Sequence, residues 1–281
     1  MKSYLDCIPC FFEQALRAGR IATNDEQLLK QLMDELGAKL QKISLDSTPP
    51  ETGRLIYRMV KEITGNSDPY RELKHKSTRE ALALYPALQR TIKKANDSLL
   101  TAIRIAIAGN IIDFGVSATF DINTTIKESL LRDFAIFDYS IFKDNLKKAE
   151  HILYIGDNAG ETVFDRLLIE QLNKPVTYVV REVPVINDAT TEDAIMAGID
   201  KVAKIVSSGS DAPGTIPAIC SDGFRKMLDR AEFVIAKGQG NYEGLSNEKR
   251  SIFFLLVAKC RIIANDLGVS SGDIVLKGIN V

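Results

Sequence analysis

Residues 151–165, HILYIGDNAGETVFD, decide the reading of the whole chain. Ile152 to Ile155 is a short apolar run, Gly156 breaks it, Asp157 and Asn158 are adjacent polar side chains, and Ala159, Gly160 and Glu161 open an amphipathic segment. That order predicts a buried strand, a tight turn and a helix start. In an open α/β sheet, ligands bind beyond the carboxyl ends of the strands. Asp157 and Asn158 are therefore expected at the mouth of a crevice.

Toward the C-terminus the same texture repeats. Strands are expected at Ile152–Ile155, Val176–Val180, Ala203–Val206, Phe233–Ala236 and Phe253–Val257, with helical segments between the first four. Short apolar strands alternating with helices predict an α/β fold, a Rossmann-like, mostly parallel sheet with helices on both faces. Toward the N-terminus the pattern is helical almost throughout, with apolar residues at helical spacing in Phe11–Ile21, Leu28–Ile43 and Leu55–Ile63. Breaker clusters at 47–50 (STPP) and 65–69 (GNSDP) separate these segments, and a long stretch from Tyr70 to Ile112 follows, carrying Pro86. No β-rich run is read before the sheet. The expected division is a helical N-terminal or cap domain over 1–145 and an α/β metal- and phosphate-binding domain over 146–281.

The balance of charge narrows the function. Lys plus Arg number 36 and Asp plus Glu 37, so neither a nucleic-acid footprint nor a membrane-attracted surface is expected. No apolar run approaches the roughly 20 residues of a membrane span, and the N-terminus MKSYLDCIPC lacks the apolar core of a signal peptide. A cytoplasmic protein is expected, with its four cysteines kept as thiols. The sequence does not set the oligomeric state.

Three strand ends carry polar clusters: Asp157 with Asn158, Asn187 with Asp188, and Lys237-Gly238-Gln239-Gly240-Asn241. A parallel sheet brings all three to one edge. Two carboxylates and a carboxamide oxygen are hard donors, suited to Mg²⁺, Mn²⁺ or a similar divalent ion. A lysine ammonium and the backbone N–H groups of a glycine-rich turn suit a phosphate beside that ion.

Plainer readings stand beside these. Asn158 and Glu161 have the spacing of a capping box. Thr190 and Asp193 have it too, which leaves Asp188 free as a ligand. Gly238 and Gly240 also suit a turn that needs positive φ. Cys7 and Cys10 form a CxxC at a helix start, but Cys220 and Cys260 are isolated in sequence, and His75 and His151 are not at ligand spacing, so the thiols are read as structural or as incidental metal ligands. His151 reads as a strand-edge residue and His75 as part of a solvated helix face. With no G-x-S-x-G elbow, a Ser-His-Asp hydrolase is disfavoured.

Taken together, the CxxC of Cys7 and Cys10, Asp68-Pro69-Tyr70 with Lys74, Gly109-Asn110 through Asp113, GDNAGE at 156–161, Asn187-Asp188, Ser221-Asp222-Gly223 and KGQGNYE at 237–243 resemble the DUF89 or damage-control phosphatase family, in its archaeal and prokaryotic subgroup. The resemblance covers essentially the whole chain. It implies a helical region on a Rossmann-like domain and metal-dependent hydrolysis of small phosphometabolites, including sugar phosphates and damaged metabolites. It also implies metal ligands at Asp157, Asn158 and Asp188, and a phosphate-side lysine at Lys237. Asn110 and Asp113 match a motif expected to supply substrate-side groups from the helical half, and Gly238, Gln239, Gly240 and Asn241 are expected around the phosphate.

The resulting expectation is a phosphatase using Mg²⁺, Mn²⁺, Co²⁺ or Ni²⁺ on a small phosphorylated metabolite. Asp157 and Glu161 both stand as acceptors of the water proton, and attack by water or by an aspartate stays open. Two alternatives remain: an S-adenosylmethionine-dependent methyltransferase with its cofactor turn at 156–160, and a non-catalytic metal- or nucleotide-binding module whose CxxC senses redox state.

Overall fold

The structure is a computed structural model that describes residues 1–111 and 130–281. Among these residues the helical N-terminal region comprises α1 (Cys7–Ala22), α2 (Glu26–Leu40), α3 (Pro49–Thr64), α4 (Arg71–Lys94) and α5 (Ser98–Ile111). The breaker clusters act as expected. Thr48 and Glu51 close a capping box at the start of α3, with prolines in its first turn, and Gly65 ends the helix at φ 70°. Pro86 lies inside α4 without ending it.

The α/β part runs β1 (Phe134–Phe137), α6 (Tyr139–Lys148), β2 (Ile152–Ile155), α7 (Thr162–Leu172), β3 (Val176–Val180), α8 (Thr191–Met196), β4 (Lys204–Ser207), α9 (Asp222–Arg230), β5 (Phe233–Lys237), α10 (Gly238–Leu245), β6 (Ile252–Val257), α11 (Arg261–Leu267) and β7 (Ile274–Ile279). The described strands form one sheet in the order β1-β7-β6-β5-β2-β3-β4. All five expected strands are present. Two were not read from the sequence: β1, which corrects the expectation of no strand before the sheet, and β7, which pairs antiparallel with β6 and parallel with β1.

Strands β2, β3, β5 and β6 are buried along their whole length, because apolar layers cover both faces. One face packs Ile152, Tyr154, Ile235 and Leu255 against α4 to α7. The other packs Leu153, Ile155, Val234 and Phe254 against α9, α10 and α11. Thus α4 and α5 are a layer of the sheet sandwich, whereas α1 to α3 form a separate apolar cluster that reaches Val185 and Ile186 in the segment after β3.

From β2 the chain winds outward to β3 and β4, then returns to place β5 on the other side of β2. The β2/β5 boundary is therefore the topological switch point, where an open α/β sheet offers a crevice. No helix among the described residues is long and apolar enough to cross a membrane.

Candidate active site

The three polar clusters converge at this switch point, because β5, β2 and β3 are adjacent and parallel. Beyond β2 and β3 the two turns are stitched together: Asn158 and Asp188 form an isolated bridge, Ala159 N–H donates to Asn187 O (2.8 Å) and Ala189 N–H donates to Asp157 O (2.8 Å). Asp157, Asn158 and Asp188 are thereby held side by side by backbone bonds.

Asn110 arrives from the end of α5. Its Nδ2 donates to Asp157 Oδ2 (3.0 Å) and Glu161 Oε1 (2.7 Å), and its buried Oδ1 has no partner among the described residues. Asn158 Nδ2 also donates to Asp157 Oδ2 (3.2 Å) and Glu161 Oε1. The capping-box reading of Asn158 and Glu161 is corrected here. The helix begins later, at Thr162, with no side-chain cap from Glu161, because the Glu161 carboxylate is taken by the two asparagines and by Lys237. The box at Thr190 and Asp193 does form. Asp113 lies outside the described residues.

Lys237 ends β5 fully buried, and its Nζ donates to Asp165 Oδ1 (2.7 Å) and Glu161 Oε2 (3.2 Å). Asp165 in turn accepts from Tyr154 OH and Tyr178 OH, both at 2.7 Å. These tyrosines are register partners on β2 and β3 with stacked rings, so the pleat aims both hydroxyls at one carboxylate. Burial alone would lower the Lys237 pKa, but Asp165 and Glu161 overcome it and hold the ammonium firmly protonated.

Arg181 plays the matching part on the other flank. Buried at the end of β3, it donates through Nε to Asp188 Oδ2 (2.7 Å), and through its two terminal nitrogens to Thr215 Oγ1 and Asn241 Oδ1 (both 3.0 Å). Asn241 Nδ2 then donates to Gly156 O (2.9 Å) and Lys237 O (2.7 Å). The expected substrate-binding residue Asn241 thus has both ends of its carboxamide committed to joining β2, β3 and β5. Gln239 is also engaged, donating to Glu243 Oε1 (3.0 Å) and accepting from Lys259 N–H (3.2 Å). Gly238 adopts φ 76°, and a Cβ there would lie 1.9 Å from Asp157 Oδ2. Gly240 lacks positive φ, but a Cβ there would lie 2.7 Å from the backbone oxygen of Pro213.

The centre is electrostatically loaded. Burial, with Glu161 and Asp188 nearby, drives the Asp157 pKa well above the usual carboxylate range, against partial relief from Lys259 and Arg181. Burial also raises Asp188, with Arg181 opposing it. Carboxylates gathered in low dielectric raise one another's pKa until a cation joins them. This crowding and the unpartnered Asn110 Oδ1 fit a hard divalent cation on Asp157, Asn158 and Asp188. Among the described residues no three Cys, His, Asp or Glu side chains are grouped to hold a metal by themselves.

Two cavities open onto it. The larger, about 340 Å³, is bordered by Asp157, Asn158, Asp188, Gln239 and Gly240, and by the helical region through Cys7, Cys10, Phe11, Pro49 and Pro50. The smaller, about 150 Å³, is bordered by Asn110 and Asn158, with Tyr57, Tyr70 and Arg17. Glu161 and Lys237 border neither. Cys260, isolated in sequence, joins Cys7 and Cys10 on the wall of the larger cavity. His151 sits against Thr177 Oγ1 and His75 beside Glu192, away from the site. Arg181, Asp165, Tyr154, Tyr178 and Thr215 were not found from sequence. Their contacts span up to 72 residues, and no local motif marks them. The turn also disfavours a nucleotide-type cofactor there, because the Gly156 and Ala159 amides already donate to Val179 O and Asn187 O.

Comparison with known proteins gives this arrangement its context. The family model described as the damage-control phosphatase ARMT1-like domain matches residues 3–275. A protein of Pyrococcus horikoshii named damage-control phosphatase is 37% identical over 284 residues, covering 98% of this chain and 97% of its own. A damage-control phosphatase of Archaeoglobus fulgidus is 34% identical over 282 residues, covering 96% and 97%. A crystal structure of a DUF89 family protein from P. horikoshii superposes with a TM-score of 0.90 at 36% identity, covering 98% of both chains.

Proposed function

The chain belongs to the damage-control phosphatase ARMT1-like (DUF89) family, and on that premise we propose that it is a metal-dependent phosphatase of small phosphorylated metabolites. The observation that carries the metal dependence is the set Asp157, Asn158 and Asp188, joined by backbone bonds at the switch point and bordering the larger cavity. A bound divalent ion supplies a Lewis acid for a phosphoryl oxygen and lowers the pKa of a water.

The rest of the chemistry falls to the chain's own groups. Asp157, Asn158 and Asp188 all border the cavity, and Asn158 Nδ2 is bound to the neighbouring carboxylates, which leaves its Oδ1 as the donor the amide would offer a cation. Asn110 and Asn158 donate to the Asp157 carboxyl and lock it in place, an orientation worth orders of magnitude in rate when reacting atoms must align. Of the two expected proton acceptors, Asp157 is favoured. It borders the cavity, whereas Glu161 is buried, accepts three N–H donors and borders neither cavity. Lys237 is assigned to holding Glu161 and Asp165, since its ammonium is fully buried and doubly paired. The helical region closes the cavity over these groups and shapes the space for the organic part of the ester. A cavity of about 340 Å³ suits a small metabolite. The reaction is taken to be cytoplasmic, where such metabolites are made.

The test is phosphate release by chelator-stripped protein reloaded separately with Mg²⁺, Mn²⁺, Co²⁺ and Ni²⁺, on an aryl phosphate and a sugar-phosphate panel. Metal-dependent release lost in Asp157→Asn is the expected outcome. No release with any metal, from folded protein shown to hold that metal, overturns the reading and leaves a binding module.

A further inference from the structure

Hydrolysis of an alkyl phosphate leaves an alkoxide on the organic part unless a proton reaches the leaving oxygen as the P–O bond breaks. The groups described so far do not supply that proton. His75 and His151 lie away from the site, and Glu161, Asp165 and Lys237 border neither cavity. Asp157 and Asp188 are the candidate cation ligands. The carboxyl groups left on the wall of the larger cavity are Asp6, which is exposed, and Glu243, which is buried.

The KGQGN turn places Glu243. Helix α10 starts at Gly238, whose Cα stands against the Asp157 carboxyl. Gln239 and Glu243 share one face of that helix, about 6 Å apart along its axis, and both border the larger cavity with the three candidate ligands. Gln239 Nε2 donates to Glu243 Oε1 at 3.0 Å, which orients the carboxyl. Glu243 Oε2 has no partner among the described residues and is not enclosed, so it opens onto the cavity. Burial raises the Glu243 pKa to about 7, against relief from the Gln239 hydrogen bond and the Met1 ammonium. The other charged or titratable groups around it are the Cys7 and Cys10 thiols of α1, Cys260 beside Gln239, and Lys259 and Arg261 on the same wall. A carboxyl with these properties keeps a proton near neutral pH and can give it up.

We propose that Glu243 is the general acid of this site, donating its proton from Oε2 to the leaving oxygen of an alkyl phosphate ester. The assignment rests on the phosphatase reading and deepens it, because it names the class of ester served. The attacking water forms the new P–O bond and gives its proton to Asp157. The electron pair of the broken P–O bond goes to the leaving oxygen, which takes the Glu243 proton and departs as an alcohol. Glu243 then recovers a proton from solvent. An aryl ester with a nitrophenol leaving group has no need of this step, since its anion is stable without protonation.

The experiment uses the full chain loaded with Mn²⁺ and compares kcat for a sugar phosphate and for nitrophenyl phosphate. In Glu243→Gln, kcat for the sugar phosphate falls by about 100-fold or more, while that for the aryl ester and the Mn²⁺ affinity stay within about fivefold. Wild-type turnover of the sugar phosphate declines as pH rises above about 7, and the residual turnover of Glu243→Gln lacks that decline. Glu243→Asp recovers part of the loss, and Asp6→Asn changes little. Equal losses on the two esters in Glu243→Gln reduce Glu243 to a structural part of the wall and overturn the proposal. Undiminished turnover of the sugar phosphate in that variant, or a matching loss in Asp6→Asn, does the same. Failure of the phosphatase reading looks different: wild type holds Mn²⁺ yet hydrolyses neither ester.

Discussion

Replacing Gly238 by alanine perturbs the site through a single methyl group. At φ 76° the new Cβ falls 1.9 Å from Asp157 Oδ2 and 2.4 Å from Asp157 Cγ, where real Cβ contacts stay beyond 3.0 Å. The Asp157 carboxyl must therefore retreat by about 1 Å, away from the hydrogen bonds of Asn110 and Asn158, a misplacement that costs on the order of 100-fold in rate. Left-handed backbone at a non-glycine residue adds about 1 to 2 kcal/mol, which lowers Tm by only a few degrees in a chain of this size. Alanine at Gly223, with open space around its Cβ and no positive φ, is the matched control and leaves both quantities unchanged or slightly raises stability. The assay is Mn²⁺ titration by calorimetry and phosphate release, with Tm by scanning calorimetry on the same samples. Wild-type metal affinity and turnover in Gly238→Ala would refute the claim that Asp157 is held in place by the close approach of the turn.

The other expectations concern the buried charges. Asp157→Asn removes a carboxylate whose pKa burial and its neighbours push up, so the metal-free variant is more stable than wild type at pH 7. That gain fades as pH falls into the unfolded carboxylate range, and the metal-induced rise in Tm is lost. Asp188→Ala behaves oppositely: it strands the Arg181 guanidinium, and urea unfolding should register a loss of about 3 to 5 kcal/mol without any metal. Lys237→Met leaves Asp165 and Glu161 buried without their cation, so Tm drops on the order of 10 °C; a change in KM alone at full stability would instead mark Lys237 as a phosphate contact. Glu243 has its pKa raised to about 7 by burial, so wild type loses stability as pH rises from the unfolded value through 7. Glu243→Gln is accordingly more stable by up to about 3 kcal/mol at pH 8 and equal near pH 4, as denaturant melts at the two pH values will show.

The parts of this molecule legible in sequence are those set by local pattern. Ile152 to Ile155 and Val176 to Val180 announce strands buried on both faces because their apolar runs are uninterrupted. β1 hides in four residues of alternating exposure, and β7 carries Lys277 and Gly278 in its less buried second half. The clustering of Asp157, Asn158 and Asp188 was legible because a parallel sheet puts successive strand ends on one edge. What the neighbours do with them was not. Asn158 and Glu161 keep the spacing of a capping box, yet Asn110 and Lys237, 51 and 76 residues from Glu161, claim its carboxylate. Arg181 meets Asn241 across 60 residues, and Cys260 meets the CxxC wall from the far end of the chain. Spacing rules reach a few residues; these pairs exist only once β5 has been inserted beside β2.

The central claim is the position of the cation, and it is tested most directly by soaking crystals of the protein in Mn²⁺ and measuring anomalous scattering at the manganese edge. The account requires one peak beyond the ends of β2 and β3, about 2 Å from oxygens of Asp157, Asn158 and Asp188, and its disappearance in Asp157→Asn. A peak at Cys7, Cys10 and Cys260, with none at the three oxygen donors, would contradict it.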